Sequence, residues 1–348
     1  MTEGNGLTPK GMGGKPMTEG NGLTPKDMGR KSMSKDLWLV TGGAGFIGSH
    51  IVEELARRGE RVRVLDNLST GRLEKLSSVR DRVEFVEGDI VRPADCARAC
   101  RGAAYVLHQA AIRSVPKSMD RPAPSNEANV TGTLNMLVAA REAGVRRFVY
   151  ASSSSAYGGC KTYPQREDMR PQPLSPYAVS KLAGEHYAIV WARAFGLETV
   201  SLRYFNVFGP RQDPESLYSA VIPKFMEQAL GGVALDVHWD GRQSRDFTYV
   251  ANVVSANLLA ARAPSRVSGE VFNVANNRTH SLLEMVRALE KIVGRKLERR
   301  HHPMRGGDVR KTWADNRKIR RMLGYKPLVG FEEGLRRTWD WFSRGRPA

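Results

Sequence analysis

Cysteine is scarce in this 348-residue chain: Cys96, Cys100 and Cys160 are all it has, an odd number with no Cys-x-x-Cys pair. That argues against a disulfide framework or a cysteine-built zinc site, and it fits a reducing compartment. Long apolar runs are missing as well. No stretch approaches the roughly 18 residues needed to cross a bilayer, and the polar, glycine-rich start of the chain has no apolar segment of an export signal. A soluble cytoplasmic protein without a membrane partner is expected. Acidic residues are few beside basic ones, 36 Asp and Glu against 54 Lys and Arg, which leaves a formal net charge of +18. Sixteen Lys or Arg against six Asp or Glu fall between Arg295 and Ala348, so more than half of the excess sits in that stretch. No basic heptad region, zinc finger or aromatic RNP pattern accompanies it, and no nucleic-acid partner is expected. A solvated basic surface, or a field that attracts a polyanionic small molecule such as a nucleotide, accounts for the charge.

What the chain does have is a 41% hydrophobic content, enough for one large core or two smaller ones. Residues 1 to 32 repeat with a period of 16, MTEGNGLTPKGMGGKP being followed by MTEGNGLTPKDMGRKS. So few large apolar side chains cannot offset the entropy of ordering, and residues 1–34 are expected to be a disordered tail.

Order is expected from Leu37. Leu37-Trp38-Leu39-Val40 reads as a buried strand, Thr41 to Gly48 as a glycine-rich turn, and Ile51 and Leu55 with charges between them as a helix. In that context a G-x-x-G-x-x-G run signals dinucleotide binding. Gly42 permits the tight turn, Gly45 lets backbone approach the pyrophosphate, and Gly48 lets the helix pack closely with its N-terminus toward the phosphates. A second strand, Arg61 to Leu65, ends in Asp66, 18 residues past Gly48. An acid there accepts hydrogen bonds from the adenosine ribose and repels a 2′-phosphate, favouring NAD over NADP. Val83 to Ile90 reads as a third strand with Asp89 at its end, and Tyr105 to Ala111 as a fourth. Asn129 to Ala143 reads as a helix, and Arg147 to Ala151 as a fifth strand delivering Ser152 to Ser155 at its carboxyl end. Strands alternating with helices predict an α/β fold with a doubly wound parallel sheet, with ligands outside the carboxyl ends of the strands.

A proline-rich loop, Thr162 to Pro176, leads into a predicted helix on which Tyr177 and Lys181 lie one turn apart on one face. A free tyrosine titrates near pH 10, too high for a base at neutral pH, and a close cation stabilises the phenolate. Four-residue spacing of Tyr and Lys is common on helices. The surrounding motifs give the pair its meaning.

TGGAGFIG, the serine run ending in Ala156-Tyr157-Gly158, YAVSK, RYFNVFG (Arg203 to Gly209) and SRDFTYV (Ser244 to Val250) together resemble the extended short-chain dehydrogenase/reductases. Within them the chain is most similar to nucleotide-sugar 4-epimerases, especially those acting on UDP-N-acetylhexosamines, and the likeness runs from about Leu37 to Phe342. The resemblance implies a Rossmann domain over residues 35–205 and a smaller α/β substrate domain over 206–348, the chain crossing back near 240–265. It implies NAD as cofactor, lined by Gly42, Gly45, Phe46, Ile47, Gly48, Asp66, Asn67, Asp89, Ile90, Gln109, Ala110, Ala111, Arg113, Asn129, Tyr177, Lys181 and Tyr204, no metal, and a homodimer built on the helix near 129 to 143 and the Tyr177 helix.

For the reaction, the resemblance makes Tyr177 the base for the sugar 4-hydroxyl, with the C4 hydride passing to NAD and returning to the opposite face of the 4-keto sugar. Lys181 depresses the Tyr177 pKa, and the Ser153 hydroxyl bridges substrate and tyrosine. Related 4,6-dehydratases carry an Asp-Glu pair where this chain has Ser154 and Ser155, and glucuronate decarboxylases carry Glu at the second of those positions, so both reactions are disfavoured. Asn206, Val221, Arg245, Arg305 and Asp308 are implied contacts to the UDP-sugar, Asn206 and Arg245 on the diphosphate. His238 lies near the expected uracil contact. His301-His302 lacks a carboxylate at metal spacing and reads as loop. Thr312 falls where glucose-restricted epimerases carry a tyrosine facing the sugar C2 substituent, so UDP-GlcNAc and UDP-GalNAc are the expected substrates, beside UDP-Glc and UDP-Gal. The alternatives are a UDP-glucose or UDP-glucuronate 4-epimerase and, from another class, an NAD-binding sensor or scaffold.

Overall fold

Leu37 to Thr41 form a strand because each of its residues is buried and its side chains alternate between two apolar layers. Trp38 and Val40 join Ile51, Leu55, Val253, Leu258 and Phe272 in one cluster. Leu37 and Leu39 join Met136, Leu137, Phe148 and Trp191 in another. A strand lined on both sides belongs inside a helix-covered parallel sheet. The computed structural model, which describes residues 1, 35–213, 221–304 and 309–345, has that sheet at its centre. Residues 2–34 of the expected tail, Arg305 and Asp308 lie outside the described residues.

The strands are β1 (Leu37–Thr41), β2 (Arg61–Asp66), β3 (Val83–Glu87), β4 (Ala103–His108), β5 (Arg147–Ser153), β6 (Glu198–Tyr204) and β7 (Glu270–Val274). Their order is β7-β6-β5-β4-β1-β2-β3, and every neighbouring pair is parallel. The strand order reverses between β1 and β4, where doubly wound sheets open a crevice at their carboxyl ends. Helices Phe46–Arg57 and Val250–Arg262 belong to the Trp38 side, and helices Pro93–Cys100, Gly132–Glu142 and Pro176–Ala194 to the Leu39 side. The chain therefore contributes to the sheet again after residue 250, with one helix and the edge strand β7.

Four expectations change. The third strand stops at Glu87 and the fourth at His108, because Asp89 and the residues after His108 turn away to side-chain and loop contacts at the sheet's rim. The fifth runs on to Ser153, paired with Tyr204. His301 and His302, expected in a loop, lie in strand Arg299–His302, paired in parallel with Leu235–His238. The reason is cross-strand: the His302 ring stacks on His238 at 4.9 Å and its Nε2 is 2.8 Å from Asp236. That strand pair sits over a further apolar cluster, with Phe208, Phe225, Leu235, Val237, Met285, Leu289, Phe331 and Leu335, which is the core of the C-terminal part.

All three cysteines are free and buried, with burial pushing the Cys96 and Cys100 thiols up to about 12, so they pack rather than react. Among the described residues no helix is long and apolar enough to cross a membrane. The two helices named for the expected dimer expose Val138, Val179 and Val190.

A buried ion pair joins three of these elements. Glu185, on the Pro176–Ala194 helix, accepts from Arg203 of β6 at 2.9 and 2.6 Å and from the Ser152 hydroxyl of β5 at 2.7 Å. Both charged side chains are almost sealed from water, at 4% and 1% exposure, so neither can be left alone. Replacing Glu185 by Leu strands the guanidinium and should cost about 3–5 kcal/mol in urea unfolding, while the Glu185→Leu/Arg203→Met double variant should recover much of that loss. Additive losses in the two variants would show that the pair does not act as a unit.

Candidate active site

The carboxyl ends of β1, β2, β4, β5 and β6 lead into many of the residues singled out from the sequence. At β1, Gly42 adopts φ +65, and a Cβ there would sit 2.7 Å from the Ala110 nitrogen. A Cβ on Gly48 would fall 2.1 Å from the Gly42 carbonyl oxygen. Only glycine fits at either place. The helix that follows, Phe46–Arg57, has no side-chain cap at Gly45 and no acid in its first turn. Its first amide groups are left for a ligand, and the helix dipole favours a negative one. These features suit the pyrophosphate of a dinucleotide.

Asp66 ends β2 and bends toward that turn, accepting from the Ala44 amide at 3.0 Å and the Leu68 amide at 2.9 Å. Burial raises its pKa, and these two amides and Lys75 pull it back. Each carboxylate oxygen retains a second lone pair for a ribose hydroxyl. At the neighbouring rim Asn67 donates to Asp89 at 2.9 Å, and Ile90 is buried against Gly132.

Beyond β4 the chain is held by side chains that the sequence does not advertise. Thr41 Oγ1 takes the Ala110 amide at 3.2 Å and contacts His108 Nδ1 at 2.8 Å, and His108 Nε2 meets Thr133 at 3.1 Å. Burial first, then Lys181, lowers His108 to about 3, so it is neutral and structural. Asn129 grips Ile112 from both sides, at 2.8 and 3.0 Å, and donates to Ser180 at 3.0 Å. Expected on the cofactor, Asn129 instead ties the 109–114 loop to the Tyr177 helix. Tyr204 donates to Gln109 at 3.2 Å, and both also bond Asn257, which no motif marked. The buried asparagines of the mostly apolar VANVVSANLLAAR helix, Asn252 and Asn257, were the available signal.

The Tyr177 helix starts sharply. Ser175 caps the Ala178 amide at 3.2 Å, Pro176 takes the first turn, and Ser118 accepts the Tyr177 amide at 3.1 Å. Tyr177 is half-buried, and its phenol lies near enough to Ser153, at the end of β5, for that hydroxyl to act on its pKa. Ser153 also accepts from the Ser155 amide and hydroxyl, at 3.1 and 2.8 Å. The expected influence of Lys181 on this phenol is not what the structure has. Burial raises the Tyr177 pKa, and the groups pulling it down are Ser153 and Arg113. Lys181 sits over the Tyr150 ring at 4.6 Å, and burial lowers its own pKa to about 7. Burial draws the lysine toward its neutral form, whereas an arginine keeps its charge.

On the other side of the cleft, Asn206 follows β6 and donates to Thr312 at 2.8 Å. Arg245 donates to the carbonyls of Ser244 and Arg310, at 3.0 and 3.5 Å. His238 contacts the Pro303 carbonyl at 3.2 Å, and Val221 begins the helix Val221–Leu230. Tyr157 is absent from the cleft: it is fully buried, donates to Asn273 at 2.7 Å and lies under Arg203. No cluster of His, Cys, Asp and Glu among the described residues could hold a metal ion.

Residues 38–275 match the model of the NAD dependent epimerase/dehydratase family. A UDP-glucose 4-epimerase of Mycolicibacterium smegmatis is 40% identical over 309 residues, covering 87% of this chain and 97% of that protein. The solved UDP-glucose 4-epimerase of Thermotoga maritima with UDP-glucose superposes with a TM-score of 0.84 at 38% identity, over 88% of this chain and 99% of that one. A UDP-N-acetylglucosamine 4-epimerase from Methanobrevibacter ruminantium, in complex with UDP-N-acetylmuramic acid, gives 0.85 at 35%, over 90% and 99%.

The Lys181 environment has a pH signature. Unfolded lysine titrates near 10.4, so between about pH 7 and pH 10 the unfolded chain binds a proton that the folded chain does not. Stability of the cofactor-free protein should rise with pH across that window, by at most about 1.4 kcal/mol per pH unit, and the gain should be absent below it. Urea unfolding at pH 7 to 9.5 should show a flatter rise for Lys181→Met than for the wild type. Equal slopes would show that Lys181 keeps an ordinary pKa.

Proposed function

The chain belongs to the NAD-dependent epimerase/dehydratase family, and we propose that within it the protein interconverts UDP-GlcNAc and UDP-GalNAc, and UDP-Glc and UDP-Gal, at C4. It is an NAD-dependent epimerase of UDP-sugars. The observation behind the catalytic reading is the pairing of the Tyr177 phenol with Ser153 at the end of β5, in a fold that carries the glycine turn of a dinucleotide site.

Bound NAD supplies a hydride acceptor and a positive charge at the nicotinamide. The chain's own groups handle the proton. Ser153 bridges the sugar 4-hydroxyl and the phenol oxygen, and Tyr177 takes the proton through that contact. Arg113 and Ser153 offset the burial that holds the phenol up, so the base is closer to neutral pH than burial alone would leave it. On the return step Tyr177 gives the proton back to the reduced C4 oxygen. Ser154 and Ser155 add no carboxylate, and Ser155 is occupied in bonding Ser153, so elimination or decarboxylation lacks its acid and base.

Residues 35–205 hold the cofactor and catalytic groups on this reading, while Asn206, Val221, His238 and Arg245, with Arg305 and Asp308, hold the UDP-sugar. What favours the N-acetylated sugars is Thr312, a small side chain beside Asn206 where a tyrosine would restrict the C2 substituent.

Incubating the purified protein with UDP-GlcNAc and separately with UDP-Glc, without added NAD, should give both C4 epimers by NMR of the anomeric protons. Tyr177→Phe should reduce that rate by about two to four orders of magnitude and leave affinity for NAD and UDP near the wild-type values. Retained turnover would remove Tyr177 from the base role. Thr312→Tyr should lower kcat/KM for UDP-GlcNAc by about tenfold or more while UDP-Glc keeps most of its rate, and undiminished N-acetyl activity would overturn the steric reading.

A further inference from the structure

We propose that Tyr150 is a positioning residue: the face of its ring seats the Lys181 ammonium and leaves the N–H groups of that ammonium for ribose hydroxyls of the bound dinucleotide. The proposal rests on the NAD-dependent reading above and concerns how the chain presents this lysine.

Lys181 is 3% exposed. Among the described residues no ion pair and no hydrogen bond reaches its ammonium, which lies 4.6 Å from the centre of the Tyr150 ring. Burying a cation without a counter-charge is costly, and the negative face of an aromatic ring is the attraction that offsets the cost here. Tyr150 also holds the other end of the same residue, since its hydroxyl donates to the Lys181 carbonyl at 3.1 Å. The ring itself is fixed. It is fully buried on β5 and stacks near His108 at 6.0 Å. A Cβ on Gly184 would fall 2.3 Å from its oxygen, so the helix is glycine where the phenol passes beneath it.

The titratable groups around Lys181 do not replace the ring. His108 of β4 is neutral, and burial raises the phenols of Tyr150 and Tyr177, so neither is a phenolate at neutral pH. Glu185, one turn along the helix, is taken up by Arg203 and Ser152. A carboxylate in the ring's place would hold the charge more firmly but occupy its donors. A ring attracts the charge and leaves those donors for a ligand.

Fluorine drains the negative face of a ring while nearly keeping its outline, so attraction and volume can be separated at this position. In the dinucleotide-free full-length protein, NMR of the lysine ε-carbons should show Lys181, identified by its loss in Lys181→Met, titrating at about 7 with Tyr150→Phe. With progressively fluorinated phenylalanines at position 150, that titration should step down by about 0.5–1.5 pH units in total. A lower pKa leaves less ammonium, so a fall of about one unit should weaken NAD binding about tenfold near pH 8 and less than about twofold near pH 5.5. A titration that does not move along the series, or an NAD affinity that falls equally at both pH values, would overturn the proposal. Each fluorinated form is compared with Tyr150→Phe, which has already lost the bond to the Lys181 carbonyl, so a stability cost common to the set does not enter the comparison. Failure of the wild type to bind NAD would defeat the cofactor reading separately, since the titration needs no cofactor.

Discussion

A carboxylate that cannot reach water organises this site. Glu185 lies two turns along the helix that carries Tyr177 and Lys181, and it holds Ser152, the neighbour of Ser153, together with Arg203, the neighbour of Tyr204. Tyr177, Ser153 and the strand leading to Asn206 are thereby set relative to one buried charge. Net stabilisation is not the main consequence, because desolvation of both ions consumes most of the attraction. What the pair does is penalise every arrangement in which helix, β5 and β6 are out of step. Precision of that kind is what proton transfer over one hydrogen bond requires.

The electrostatics of the cleft follow from burial. His108 is driven neutral, Lys181 to about 7, and the Tyr177 phenol upward, all chiefly by loss of water. Against that background Arg113 is the cation that pulls the phenol down. Were NAD held here by the glycine turn and Lys181, its nicotinamide charge would add to the pull of Arg113 on the phenol.

Much of this was legible from the residues. Gly42 and Gly48 mark the turn because no other residue fits the space, and Ser153, Tyr177 and Lys181 sit in short motifs whose spacing maps onto one strand end and one helix face. The alternation of Leu37, Trp38, Leu39 and Val40 reads directly as a strand buried on both sides. The misread elements have a common cause. His302 takes its place in a strand from Asp236 and His238, more than sixty positions away, and Asn257 bonds both Gln109 and Tyr204 from a helix that reads as mostly apolar packing.

The sequence by itself determined the fold class and the dinucleotide turn, and it marked the groups proposed for catalysis, since periodicity, glycine sterics and local spacing act within a few residues of one another. Tertiary structure alone decided which cation faces Tyr177, that Asn129 serves the loop, and that Thr312 accepts from Asn206. Those outcomes depend on which side chains meet across the sheet ends and on how much water is excluded there, and neither distance nor desolvation is a property of a linear string.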